Sequence, residues 1–178
     1  MPLFLYGQSI HFFRETIHIN LTDDHCQVKG IYYFKNLNNY SVTQNLSYPF
    51  AVNNALPFPD SITVKDSLKG QKINYVIGKS RVNFLVKVPP KSVAIYTVYF
   101  RQRTPERQME YLLTTTQNWN RPLDRADFYI KRPKHLNIVK LSHPFELQET
   151  GGDHQVYVMR KEHFMPHNNL KVQWAGKK

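Results

Sequence analysis

Several things are scarce in this chain of 178 residues, and each scarcity closes a route to function. There is one cysteine, Cys26. A single thiol forms no internal disulfide and supplies no multi-thiolate metal site. Within "DHCQVKG", at the start of a strand pattern, Cys26 reads as a small apolar filler rather than a nucleophile. Glycine is also rare, at seven residues. No glycine-rich phosphate loop and no G-x-S-x-G elbow occurs, so the common nucleotide-binding and α/β-hydrolase signatures are missing.

No apolar run approaches the roughly 20 residues that cross a bilayer as a helix. The first residues, "MPLFLYGQSIHFFRETI", carry a short apolar patch with no preceding positive charge. No small-residue cleavage site follows, so the stretch does not read as a secretion signal. A mature soluble domain, or an excised piece of a longer protein, fits these features. Acidic residues are few: 13 against 24 lysines and arginines, a net charge of +11. That field favours acidic partners such as nucleic acid, anionic lipid or acidic polysaccharide. An ordinary solvated basic surface is the plain alternative.

What the chain does have is alternation. Ile17, Ile19 and Leu21 share one face of an extended segment, and Thr16, His18 and Asn20 the other. "QVKGIYYF" places Val28, Tyr32 and Phe34 opposite Lys29 and Tyr33. "KINYVI" and "RVNFLVKV" are separated by "GKS", the clearest hairpin signal, with Val82, Phe84, Val86 and Val88 on one face. "SVAIYTVYFRQ" is apolar on both faces, as a strand covered on both sides would be. Eleven tyrosines and eleven phenylalanines suit strands, and eleven scattered prolines oppose helices. One helical turn is expected at "TPERQMEYLL", with Thr104 as its N-cap.

The expected fold is therefore all-β: an immunoglobulin-like or jelly-roll-like antiparallel β-sandwich of about ten to twelve strands. Residues 1–178 are expected to form one unit. A sub-boundary could lie at residues 101–108, but the remainder after it would make only a marginal core.

The stretch "LLTTTQNWNRPLDRADFYI", residues 112–130, reads as strand, corner, strand. Thr114, Thr115 and Thr116 suit a strand end. Asn118, Asn120 and Pro122 suit the corner, with Trp119 folded back to cap the core. Beyond it, Phe128 and Ile130 face inward, and Asp127, Tyr129 and Lys131 outward. The functional alternative makes Trp119 a stacking platform, with Arg121 and Arg125 as donors to a sugar or an anion. Tyr111 and Tyr129 are interleaved with these arginines and complete the candidate ligand-binding set.

Glu15 is the most informative acid. Alternation places it on one face with Phe13, Ile17 and Ile19, which is the core face. A buried carboxylate is costly unless paired. It is either a structural acid capped by arginine or backbone amides, or a catalytic acid with a raised pKa. No second carboxylate is legible beside it, so no catalytic residue is assigned. No cofactor is expected. No metal site is expected either. His11 and His18 fall on opposite faces by strict alternation, His163 and His167 flank Pro166 rather than lie on a helix, and "DDHC" needs a turn and a distant ligand.

"RETIHINLTDDHCQVKGIYYFKN", "LSYPF" and "YLLTTTQNWNRPLDRADFYI" together resemble bacterial β-sandwich domains of unknown function. Glu15, Phe34, Asn36, Tyr48, Pro49, Phe50, Thr116, Trp119, Pro122 and Leu123 stand where that pattern puts them. The resemblance covers about 120 residues. It implies a periplasmic, cell-surface or extracellular location and carries no catalytic residue.

Three functional readings follow. The first is a non-catalytic envelope or extracellular module that supports or binds another macromolecule, a protein or an acidic polysaccharide. The second is a basic-surface binder of acidic polymer, with nucleic acid the less favoured ligand because no RNP motif or KH loop occurs. The third is a glycan-active enzyme, which requires two carboxylates in one cleft.

Overall fold

The computed structural model describes residues 10–148 and 152–176. Among the described residues, fourteen strands run in chain order: β1 His11–Leu21, β2 His25–Lys35, β3 Val42–Pro49, β4 Ser61–Asp66, β5 Gln71–Ile73, β6 Tyr75–Ile77 and β7 Arg81–Val88. They continue as β8 Val93–Arg103, β9 Gln108–Tyr111, β10 Leu123–Pro133, β11 Leu136–Leu141, β12 Glu146–Gln148, β13 His154–Phe164 and β14 Leu170–Gly176. The all-β sandwich is as expected, with more strands than the ten to twelve read from the sequence.

One sheet has eight strands in the order β12-β13-β10-β1-β2-β8-β4-β5. Two three-stranded sheets, β11-β14-β9 and β3-β7-β6, lie over one of its faces. Side-chain bridges fix that layering. Trp174 of β14 donates from Nε1 to the Thr22 carbonyl at the β1–β2 turn. Tyr96 of β8 reaches the Lys87 carbonyl of β7. A single core runs between the layers, and its fully enclosed members include Ile17, Val28, Val82, Val98, Phe128 and Val172.

The pairing is not wholly antiparallel. β1 and β10 run parallel, with Ile17 opposite Phe128 and Ile19 opposite Ile130. About 100 residues of intervening chain make the crossover, through the small sheets. Strict alternation also fails once. A register shift between Phe12 and Arg14 against β2 marks a β-bulge. It turns Phe12 inward to 5 % exposure and leaves Phe13 half-buried, so Glu15 shares its face with Phe12 rather than Phe13.

"KINYVI" is not one strand. It divides at Asn74 into β5, which pairs with β4 in the large sheet, and β6, which forms the hairpin with β7. The helical turn lies elsewhere than expected. Thr104–Arg107 is a tight turn, and Thr104 is buried without an N-cap bond from its hydroxyl. The 3-10 helix is Leu113–Trp119, formed by the threonines read as a strand end. Their hydroxyls explain it: Thr115 donates to the Leu112 carbonyl, and Thr114 donates from both N and Oγ1 to Asn169. The helix closes at Asn120 in the left-handed region, φ 54°.

β8 sits between β2 and β4 with Ala94, Tyr96, Val98 and Phe100 buried. Its other face, with Ile95, Thr97 and Tyr99, is only half-buried, because neither small sheet covers that side. Its apolar outer residues belong to an open sheet surface.

Candidate ligand pocket

The two small sheets do not meet edge to edge. β3 ends one and β9 ends the other, and the 3-10 helix stands beside the gap. Between them lies a cavity of about 510 Å³. Its floor is the large sheet: Phe12 and Glu15 of β1, Tyr32 and Phe34 of β2. Tyr48 and Leu46 of β3 form one wall; Tyr111, Thr116 and Trp119 form the other.

Glycine is what lets the floor take this shape. Gly30 and Tyr32 lie on the same face of β2, and the Tyr32 ring leans back over Gly30. A Cβ at position 30 would stand 1.9 Å from the Tyr32 hydroxyl. The missing side chain is therefore the space that Tyr32 occupies. Its hydroxyl then sits 2.8 Å from that of Tyr48 and 2.7 Å from that of Tyr111. One tyrosine comes from each of the three sheets, so the trio joins all three at one point. Burial pushes the Tyr48 phenol up to about 12 and raises Tyr32 and Tyr111 further. All three stay protonated at neutral pH.

Glu15 stands among them, 3 % exposed. Its Oε1 is buried with no hydrogen-bond partner among the described residues. Among the described residues, neither an arginine nor a backbone amide bonds that oxygen. Burial alone raises its carboxyl to about 8. At neutral pH it is a protonated acid in the cavity floor.

An aromatic cluster stands beside it. Trp119 packs on Phe12 and Phe34, with ring centroids 5.5 and 5.7 Å away. Phe12 and Phe34 lie 5.4 Å apart. Trp119 thus closes the core beside the cavity while leaving part of its ring in the cavity wall.

The candidate ligand set divides. Tyr111 and Trp119 line this pocket, whereas Arg121, Arg125 and Tyr129 do not. Arg121 is exposed beyond the corner. Arg125 and Tyr129 project from the open face of the large sheet. There Arg125 grips Asp127 through Nε at 2.7 Å and Nη2 at 3.0 Å. Arg14 and Arg160 add contacts at 3.5 and 3.9 Å. Tyr129 stacks on His18 at 4.8 Å. The five residues are close in sequence, but alternation and the corner send them to opposite faces. Tyr32 and Tyr48 carried no signal of their own: each is 16 or more positions from its partner, and ordinary core tyrosines look the same.

Two further groups are structural. Asn36 donates from Nδ2 to the carbonyls of Tyr40, Val88 and Pro89, which ties the β2–β3 loop to the end of β7. Cys26 is fully buried, and burial pushes its thiol up to about 12. Among the described residues, no group of three or more His, Cys, Asp or Glu is placed to hold a metal.

No protein-family model matches the chain. No curated protein matches it either. Solved structures do share its fold. One is a "putative nutrient binding protein" from Legionella pneumophila, with a TM-score of 0.74 and 14 % identity over 94 % of this chain and 67 % of that one. Another is an M1 zinc metallopeptidase from Deinococcus radiodurans bound to a Tyr-Ser-Ala substrate, with a TM-score of 0.54 and 10 % identity over 93 % of this chain. The same peptidase without that peptide gives 0.53 and 11 %. This chain spans about two fifths of the peptidase, at 43 and 42 % of its length. At these identities the likeness is one of fold.

Proposed function

We propose that the protein is a non-catalytic binding module whose recognition site is the pocket at the junction of its three sheets. One observation carries this: Glu15 is enclosed at the pocket floor with an oxygen that no group among the described residues satisfies. An unmade hydrogen bond of this kind costs about 1–3 kcal/mol. A ligand that reaches the floor relieves it. The pocket supports binding rather than glycoside hydrolysis, because Glu15 is the one acid among the described lining residues and a glycosidase needs two. The Legionella protein of similar fold, titled for nutrient binding, agrees with a binding role. A periplasmic, cell-surface or extracellular setting follows from the sequence resemblance and goes with this reading. The pocket takes a small molecule or the end group of a larger one.

Tryptophan emission tests it. Trp119 lies in the pocket wall, and Trp174 is buried as a background signal that Trp119→Phe isolates. A panel of small amines, alcohols, carboxylates and monosaccharides is titrated to millimolar concentration. At least one class should shift the Trp119 emission. Leu46→Phe, which fills the cavity from β3 without adding a fluorophore that competes with tryptophan, should abolish the shift without unfolding the chain. Silence across the panel, or a shift that survives Leu46→Phe, would overturn the assignment.

A second reading rests on the open face of the large sheet. A hollow of about 530 Å³ there is lined by Lys29, Lys65, Tyr99 and Thr97, with no acid among its lining residues. Together with the Arg14, Arg125 and Arg160 cluster it suits an acidic polymer. Retention on heparin that falls linearly with the logarithm of salt, and weakens in Lys29→Ala/Lys65→Ala, supports it. Elution at or below physiological salt contradicts it.

A further inference from the structure

We propose that the pocket selects an organic cation, an ammonium headgroup seated between the Glu15 carboxyl and the surrounding aromatic rings. The inference rests on the pocket being the binding site and adds the chemical class of its ligand. Three features point to that class.

First, the floor pairs an acid with aromatic surfaces. Phe12, Phe34 and Trp119 form a mutually packed cluster, and Phe12 also lies 6.0 Å from Tyr32. The faces of aromatic rings are electron-rich, so they attract a cation and repel an anion. The tyrosine hydroxyls add polarity beside Glu15, and Gln44, Asn45, Ser47, Thr115, Thr116 and Asn118 also belong to the lining.

Second, the groups facing Glu15 leave it without a protein counter-ion. From β2, β3 and β9 it meets Tyr32, Tyr48 and Tyr111, all neutral. From β8 the pocket is lined by Tyr96. Arg81 of β7 is the one basic side chain among the described lining residues, and it is exposed. Burial is what raises the Glu15 carboxyl. The site for positive charge is therefore unfilled by the protein itself.

Third, an anion finds less here, because on the floor it would face ring faces and a carboxyl.

Seating an ammonium on the floor converts Glu15 from acid to carboxylate. The Oε–H bond breaks and its proton leaves to solvent, since the three phenols hold their own protons and accept none. The new pair is an N–H···O⁻ hydrogen bond for a primary amine, or a close ion contact for a quaternary one. Binding near pH 7 thus releases close to one proton per ligand, and binding at pH 9, where Glu15 is already ionised, releases almost none.

Isothermal titration of the full chain reads this directly. The probes are (2-hydroxyethyl)trimethylammonium and its uncharged isostere 3,3-dimethylbutan-1-ol, at 0.15 M salt, in phosphate and in Tris at pH 7. The cation is expected to bind at least tenfold more tightly than the alcohol. The difference in heat between buffers should report about 0.9 proton released. Glu15→Gln keeps the shape of the side chain and should weaken the cation tenfold or more, abolish the proton release and leave the alcohol unchanged. Equal affinity for cation and alcohol, unaffected by Glu15→Gln, overturns the cation class and leaves the pocket standing. A Trp119 response to another class, with neither probe bound, does the same. Silence from both probes and from the whole emission panel overturns the pocket and the cation together.

Discussion

The hydroxyl of Tyr32 lies 2.7 Å from that of Tyr111, across 79 positions of sequence and between two different sheets. With Tyr48 at 2.8 Å it is the middle member of a hydrogen-bonded trio. Removing the middle hydroxyl breaks two hydrogen bonds, and removing an end breaks one. Tyr32→Phe should lower the unfolding free energy by about 2 kcal/mol, and Tyr48→Phe or Tyr111→Phe by about 1 kcal/mol each. Urea denaturation measures all three. Equal losses would mean that the trio does not act as a chain.

Gly30 makes room for that middle ring. An alanine there places its Cβ within 2.4 Å of the Tyr32 ring carbon that bears the hydroxyl. Overpacking of this kind costs about 1–3 kcal/mol. Gly30→Ala should therefore destabilise the wild type strongly and a Tyr32→Ala background only weakly. A double-mutant cycle in urea checks the coupling, and simple additivity would contradict the contact.

Asp127 is 3 % exposed on the open face, ringed by Arg14, Arg125 and Arg160. Asp127→Asn leaves three guanidinium groups crowded without their shared anion. The melting temperature should fall by on the order of 5 °C at low salt, and by less at 1 M salt, where repulsion is screened. A salt-independent loss would show that packing, not charge, accounts for it.

Glu15 ionises near 4.5 in an unfolded chain and near 8 in the fold. Between those values the folded state holds a proton that the unfolded state has released. Raising the pH through this window therefore favours unfolding. The cost is absent below about pH 4.5 and complete above about pH 8. At pH 7 it amounts to about 3 kcal/mol. Glu15→Gln removes it. The variant should melt with the wild type near pH 4.5 and about 10 °C above it at pH 8. A difference that does not change with pH would contradict the raised ionisation.

Much of this architecture was legible in the sequence. Ile17, Ile19, Val28 and Val82 alternate cleanly, and each is buried as its pattern requires. Glu15 stood out because it fell among such residues. The bulge at Phe13 escaped notice, since one extra residue leaves no compositional mark, and it exchanged Phe12 for Phe13 in the core. The parallel β1–β10 pairing joins segments about 110 positions apart, beyond the reach of any local pattern. The 3-10 helix replaced a strand end because Thr114 and Thr115 bond Asn169 and Leu112, and one of those partners is 55 positions away. The proposed ligand set failed to stay together for the same reason. A basic and aromatic window is continuous in sequence, but a strand sends neighbours to opposite faces, so Tyr111 and Trp119 enter the pocket while Arg125 and Tyr129 face outward.

The central claim is that Glu15 carries a proton at neutral pH inside the pocket. Carbon-13 NMR of the side-chain carboxyls, with glutamate labelled at Cδ, tests it most directly. The chain has six glutamates, and Glu15→Gln assigns the signal by its loss. The account predicts that the signal lost in Glu15→Gln titrates near 8. A Glu15 carboxyl already ionised by pH 6 would contradict it.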